Sequence, residues 1–454
     1  MIICTTLLLF AQADTAQTLD EQIAAAKLQG QQTEAGIATG EITGFEAVDA
    51  WSDVAYSWET ISGQENAPAS VWVNWSEALL NANDSKNALS VVQNGLVFFK
   101  NNAPLQEQSG RLLLSESRSA AEMGNDKKAQ ELTASAVAAF TAACKSAPKS
   151  ASPLLRLGEV AWIDFANTAG DEKAKTAALQ FWLDAVTVDP AGVDSGHVYT
   201  WLQTDAIEVL NVLVTKQPEN VLHYWYRGMA HYYSGAQAWT NTHDDFMKVI
   251  ELNSAFTNAY FFLADGAFQR GAMQSTAGDT NKAKKAYNFA GKYYALYLKD
   301  FGANHTASSA QNGGLRAECE RMNFLASFTS YPDAILILEW ATSSDDSYLD
   351  IWNNLAFLYR ETNEAEKSLA AYQHALSIAP DDPQIMNDLA VIYHYYLQSD
   401  DEIAIELYEQ AIVRANEILA GSNEDGKDLS LVKTALRDAK NNLAKLKKGN
   451  RRNG

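Results

Sequence analysis

Cysteine is scarce in this chain: three in 454 residues, Cys4, Cys144 and Cys319. No two form a CxxC pair, and none stands near a second Cys or a His at zinc-site spacing. A disulfide framework and a zinc site are therefore excluded. Cys144 and Cys319 fall in helical, apolar stretches, where a thiol behaves as a small hydrophobe. Proline (nine) and glycine (25) are also few. A sandwich or barrel needs many more turn residues, so the composition leans towards helices. After the N-terminus, no stretch approaches the roughly 18 uninterrupted apolar residues of a membrane span. Positive charge is in deficit too, with 35 Lys and Arg against 56 Asp and Glu and a net charge of −21. Such a surface repels phosphate backbones, so nucleic acid is excluded as a partner of the body of the protein.

Catalytic signatures are missing as well. There is no HExxH, no GxxxxGK[ST], no GxGxxG and no GxSxG. The seven histidines are scattered, and His223 and His231, eight apart, have no carboxylate at ligand spacing. The acidic pairs Asp244-Asp245, Asp345-Asp346, Asp381-Asp382 and Asp400-Asp401 are expected in or beside turns, capping helix N-termini. A calcium loop would instead spread oxygen ligands over about twelve residues around a Gly. The expectation is a chain with no catalytic residue, no metal and no cofactor.

What is present is length, ordinary hydrophobicity (47%) and internal repetition. The clearest segment reads DIWNNLAFLYRETNEAEKSLAAYQHALSIAPDDP, residues 350–383. Trp352, Leu355, Ala356 and Tyr359 lie 3, 4 and 7 residues apart, one face of a first helix. Asn363 and Glu364 make a turn, and Ser368, Tyr372 and Ala375 form the facing stripe of a second helix before Pro380 stops it. A second copy follows, with Leu389, Ala390 and Tyr393, then Ala404, Tyr408 and Ala411. This resembles the tetratricopeptide repeat, a helix pair of about 34 residues with the pattern W-x2-L-G-x2-Y, A-x3-F, P. Looser copies precede it: Trp72, Trp75 and Leu79 with Ala88, Val92 and Gly95; Leu157-Gly158 with Ala178, Trp182, Ala185 and Pro190; Ala206, Leu210, Leu213 and Pro218; Tyr224 and Gly228 with Phe246 and Val249; Tyr260, Leu263 and Ala264 with Ala283, Tyr287 and Ala290; and Ala334, Leu338 and Ala341. The resemblance implies an all-α fold, a right-handed α-solenoid of stacked antiparallel helix pairs.

The expected organisation has four parts. Residues 1–13 (MIICTTLLLFAQA) combine a short apolar run with Ala11-Gln12-Ala13, the small-x-small pattern of a signal peptide, although no basic residue precedes the run. Residues 14–65 form an N-terminal helical segment or cap, with a flexible joint between Gly30 and Gly40. Residues 66–426 are the repeat array. Residues 427–454 are a capping helix and basic tail, with Leu429, Val432, Leu436, Ala439, Leu443 and Leu446 on one stripe. Nine basic side chains against Asp428 and Asp438 make that last segment +7, leaving −28 on residues 1–426.

In arrays of this family the first helix of each pair lines the concave groove. Carried over by position, the lining is Trp162, Trp225, Met229, Tyr232, Phe261, Asp265, Phe268, Asn353, Phe357, Arg360, Asn387 and His394. Aromatic, Met and Arg side chains are what interface centres favour. The aromatic stretch 222–268 has two readings: rings buried between helices, or rings lining a groove. The Lys-based clamp by which some members hold a C-terminal carboxylate is not matched, since the inward sites of the clearest pair carry Asn353 and Phe357. The leading expectation is a periplasmic or secreted, non-enzymatic scaffold binding a peptide or protein segment of unidentified partner. The alternative is a carbohydrate- or envelope-polymer-binding protein that stacks sugars on the same rings.

The N-terminal pattern predicts that the mature chain begins at Asp14. N-terminal sequencing of protein purified from its native host checks this, and a retained Met1 on cytoplasmic protein would refute it.

Overall fold

The structure, a computed structural model, describes residues 17–167, 171–305, 314–421 and 429–453. The apolar run to Ala13 and the cleavage point before Asp14 lie outside the described residues. Among the described residues the regular elements are helices, with no strand, and no helix is long and apolar enough to cross a membrane.

One turn design recurs. Helices end on a left-handed residue, Asn83 (φ 62°), Gly124 (φ 75°), Gly278 (φ 80°) or Asn363 (φ 63°). The next residue's N–H closes back on the carbonyl five residues earlier: Asp84 on Leu79, Asn125 on Ala120, Asp279 on Gln274 and Glu364 on Tyr359, at 2.8–2.9 Å. These Schellman closures satisfy the orphan carbonyls of the first helix. Asp84, Asn125 and Asp279 then cap the second helix by accepting from Asn87, Lys128 and Lys282. So short a turn forces the two helices antiparallel.

The first compact unit comprises the described residues up to Leu202 together with Glu208–Gln217. It contains α1 (Leu19–Thr39), α2 (Phe45–Ser62), α3 (Ser70–Asn81), α4 (Ser85–Phe98), α5 (Ala103–Glu122), α6 (Asp126–Ser146), α7 (Ser152–Asn167), α8 (Glu172–Val188), α9 (Ser195–Leu202) and most of α10 (Ile207–Lys216). Gln203–Ile207 and the residues from Pro218 onward make the second unit. It contains α11 (Val221–Tyr233), α12 (Trp239–Leu252), α13 (Thr257–Thr276), α14 (Thr280–Phe301), α15 (Gly314–Ala326), α16 (Tyr331–Ser344), α17 (Leu349–Glu361), α18 (Ala365–Ile378), α19 (Pro383–Val391), α20 (Asp401–Gly421) and α21 (Ser430–Asn453). The stretch 66–426, read from the sequence as one array, thus falls in two units. Within each, successive pairs pack side by side, as in an α-solenoid.

Four pairs are locked by a ring on the second helix lying where the first has no side chain. A Cβ on Gly110 would meet Phe140 at 2.4 Å, one on Gly158 would meet Trp182 at 2.6 Å, one on Gly228 would meet Phe246 at 2.7 Å and one on Gly271 would meet Tyr287 at 2.5 Å. Phe140, Trp182 and Phe246 are fully buried. In α17 and α18 the small residues are Ala356 and Ala375, both buried with Tyr372, Leu355 and Tyr359; Trp352 packs at the margin of the same core. Leu389, Ala390, Tyr393, Tyr408 and Ala411 continue that core into the next pair. Pro380 follows the end of α18, and Pro383 opens α19 behind the cap of Asp382.

Two local expectations are corrected. The joint expected between Gly30 and Gly40 is instead part of one unbroken helix, α1, because Gly30 faces Trp51 and Val54 at ordinary contact distance and Gly36 is closed over by Ile42. Gly40, at φ 76°, is where that helix stops. Asp244-Asp245 is not a cap but lies inside α12, with Asp245 buried. At the C-terminal end, α21 packs against α19 and α20. All six members of its apolar stripe are shielded, Ala439 and Leu446 fully so.

The glycine contacts predict opposite signs for one chemical change. Gly110→Ala should destabilise the chain by about 1–3 kcal/mol through overpacking against Phe140. Gly30→Ala, with room and ordinary helical backbone, should stabilise it by up to about 1 kcal/mol. Urea denaturation of the two variants checks both.

Candidate functional site

First helices are adjacent in space along each unit, and polar side chains bridge one to the next. In the first unit Gln108 on α5 donates to Ser76 on α3 (3.2 Å), and Arg111 approaches Glu77 (3.9 Å). Arg156 on α7 lies 3.6 Å from Glu107 on α5, and Glu159 on α7 meets His197 on α9 at 2.8 Å. In the second unit Tyr232 on α11 donates to Asp265 on α13, and Asp265 pairs with Arg321 on α15 at 2.8 Å. Asn354 on α17 donates to Asn323 on α15 (2.8 Å), and Asn442 on α21 donates to Asn387 on α19 (3.4 Å). Each unit therefore presents a first-helix face stitched by polar rungs.

The rung at Asp265 is the most connected. Its Oδ2 accepts from Tyr232 and from Gln269 (2.7 Å), and its Oδ1 accepts from Arg321 and from Tyr294 on α14 (3.2 Å). Asp265 is only 8% exposed, so its charge is stabilised by these donors rather than by water. Burial, followed by the nearby carboxylate, pushes the Tyr232 and Tyr294 hydroxyls above the usual phenol range, so they stay protonated donors. A second buried pair joins first to second helix: Arg227 holds Asp245 through Nε at 3.0 Å, with His231 Nε2 3.8 Å away. Burial raises the Asp245 carboxyl despite Arg227, and burial with Arg227 lowers His231. Among the described residues no three or more His, Cys, Asp and Glu side chains are placed to hold a metal ion.

Of the twelve positions carried over from the family, Trp162 lies in the first unit and eleven in the second. Trp162 is half-buried on α7, its ring 5.1 Å from Phe165. Trp225 is half-buried among Phe246, Phe256 and Phe262, and Met229 packs in the same cluster. Phe261 packs on Tyr294, Tyr297 and His305, and Phe268 on Tyr287 beneath the Arg321 guanidinium. Asn353 is half-buried, and its Oδ1 has no hydrogen-bond partner among the described residues. Asn387 is buried, and His394 stacks on Tyr395 at 3.9 Å. Phe357 is the most open of the twelve, 39% exposed, with the Arg360 guanidinium 4.8 Å from its ring centroid.

Position alone does not reveal the partners: Gln269, Tyr294, Arg321 and the Arg227–Asp245 pair were not singled out by spacing. A signal was available. Arg111, Arg156, Arg227, Arg321 and Arg360 are isolated basic residues on first helices of an acidic chain, and each has a rung, a ring or a carboxylate beside it.

Residues 349–382, which span α17 and α18, match the tetratricopeptide repeat family. Over 108 residues, 23% of this chain, the sequence is 32% identical to the photosystem I assembly protein Ycf3 of Cyanophora paradoxa. That alignment spans 56% of the relative's own length. Among solved structures, the C-terminal part of a TPR repeat-containing protein from Cytophaga hutchinsonii aligns with 76% of this chain and 96% of its own, at 11% identity and a TM-score of 0.32. The P58(IPK) TPR domain aligns with 93% of this chain and 99% of its own, at 13% identity and a TM-score of 0.20.

One group on this face titrates in an accessible range. Asp388, beside Asn387 on α19, has its carboxyl raised to about 6 by burial, against lowering by the Asn387 amide and Arg360. Asp382 and Asp438 push it the same way as burial. Between pH ~4 and ~6 the folded chain keeps a proton that the unfolded chain has released, so stability falls as pH rises through that window. Asp388→Asn should therefore change nothing below pH ~4 and stabilise by on the order of 2 kcal/mol above pH ~7. Urea titrations at pH 4 and pH 7.5 check the sign.

Proposed function

We propose that this chain is a non-enzymatic scaffold that holds a peptide or protein segment against the first-helix face of its second unit. The observation that carries the proposal is Phe357, exposed beneath Arg360 in the repeat that matches the family. The Arg360 guanidinium, itself paired with Glu361 at 3.0 Å, is held over the ring, so the face offers apolar area beside a fixed charge, the residue types that dominate interface hot spots. The half-buried rings of Trp225, Tyr232, Phe261 and Phe268 form the packed wall of the same face rather than free anchors. The partial relative from Cyanophora paradoxa is an assembly protein; holding polypeptides together is the work proposed here. The setting is outside the cytoplasm, on the strength of Ala11-Gln12-Ala13, and the acidic body argues against nucleic acid as partner.

The test compares the full chain with its Phe357→Ala variant as immobilised baits in extract from the native host. At least one polypeptide retained by the parent should be lost from the variant, and its measured affinity should fall by about 1–3 kcal/mol. Stability should move by less than about 1 kcal/mol, because a part-exposed ring leaves little cavity. An identical retained set on both baits would refute this face as the binding site.

A further inference from the structure

Apart from the basic C-terminal segment, a concentrated patch of positive charge lies on α14, a second helix rather than a first. Lys284, Lys285, Asn288, Phe289, Lys292 and Tyr293 fall at i, i+1, i+4, i+5, i+8 and i+9 of α14, a single face. With Ser327 and Phe328 from the α15–α16 turn they line an open groove of 820 Å³. Lys284, Lys285 and Lys292 are exposed, and among the described residues none has a carboxylate within 4.0 Å. Carboxylates in the neighbourhood are already engaged: Asp279 by Lys282 at 2.7 Å, Asp244 by His243 at 2.9 Å and Glu251 by Lys248 at 2.6 Å.

The groove floor is ordered and aromatic. Phe289 and Tyr293 stack in parallel with centroids 4.3 Å apart. The Tyr293 hydroxyl is tied to Met247 Sδ (3.2 Å), and Asn288 Nδ2 donates to the Phe328 carbonyl (2.8 Å). Lys292 Nζ sits 5.9 Å from the centre of the Tyr293 ring. Rings packed from below with ammonium groups on both sides form a surface for a ligand that is apolar at its centre and anionic at its margins.

We propose that this groove on α14 binds an acidic peptide segment carrying aromatic or large apolar side chains between its carboxylates. A peptide fits better than a nucleic acid because of charge spacing. Over a Debye length of about 8–10 Å, a few carboxylates confined to the groove meet only the lysines. A polynucleotide, charged at every phosphate, would extend over a body of strongly negative net charge. The site is separate from the first-helix face and does not depend on it.

The probe is a dye-labelled peptide of alternating Glu and Phe, titrated with the full chain and followed by fluorescence anisotropy. Saturable binding is expected, weakened about tenfold or more by Lys284→Glu, Lys285→Glu and Lys292→Glu together. The control variant Lys86→Glu, Lys127→Glu and Lys128→Glu makes the same change in net charge elsewhere and should bind as the parent does. Three results would overturn the proposal: no saturable binding of the acidic peptide, equal weakening by both triple variants, or displacement of the peptide by oligothymidylate of matched charge at lower concentration than by unlabelled peptide.

Discussion

The architecture depends on one repeated contact, a large ring seated on a backbone that carries no side chain. Phe140 on Gly110, Trp182 on Gly158, Phe246 on Gly228 and Tyr287 on Gly271 bring two helix axes closer than Cβ atoms would allow. A glycine inside a helix costs roughly 0.5–1 kcal/mol against alanine. A fully buried aromatic ring recovers more than that. Because the contact recurs in these four pairs, they present similar flanks, and similar flanks can stack. The chain divides into its two units at the short helices α9 and α10.

Packing of this kind orients the first helices but leaves their shared face to be organised by polar groups. The rungs from Ser76–Gln108 to Glu159–His197, and from Tyr232–Asp265 to Asn387–Asn442, each join neighbours in the row. Most are half-buried, where an ion pair is neither screened as at the surface nor stranded as in a core. The same face carries Phe357 open to solvent beside a half-buried Arg360, while the basic groove of α14 belongs to the other helix of its pair. Two chemically distinct surfaces thus follow from a fold in which each helix has one inward stripe and one outward one.

Legibility in the sequence varied with the range of the interaction. Asn363-Glu364 announced the α17–α18 turn, and the stripe from Leu429 to Leu446 announced α21, because turn chemistry and helical period are local. Asp244-Asp245 was misread as a cap for the opposite reason. Only the fold brings Arg227, eighteen residues earlier, against Asp245. Likewise Gly30 looked like a joint until Trp51 and Val54 were found beside it. For the candidate face, position on first helices was readable, but whether a ring there was wall or anchor was not. Trp225 and Phe357 both stand at lining positions of first helices. One is enclosed by Phe246, Phe256 and Phe262, and the other is open.

Asp265 has a consequence for how the second unit comes apart. In a stack of repeats each pair ordinarily feels only its immediate neighbours, so fraying at one end decays within a repeat or two. One carboxylate here accepts from α11, α13, α14 and α15 together. Opening any one of those helices takes a partner from a buried charge that the others share. The shared carboxylate thereby couples α11, α13, α14 and α15 over a span longer than one repeat, inside a fold whose contacts otherwise run from neighbour to neighbour.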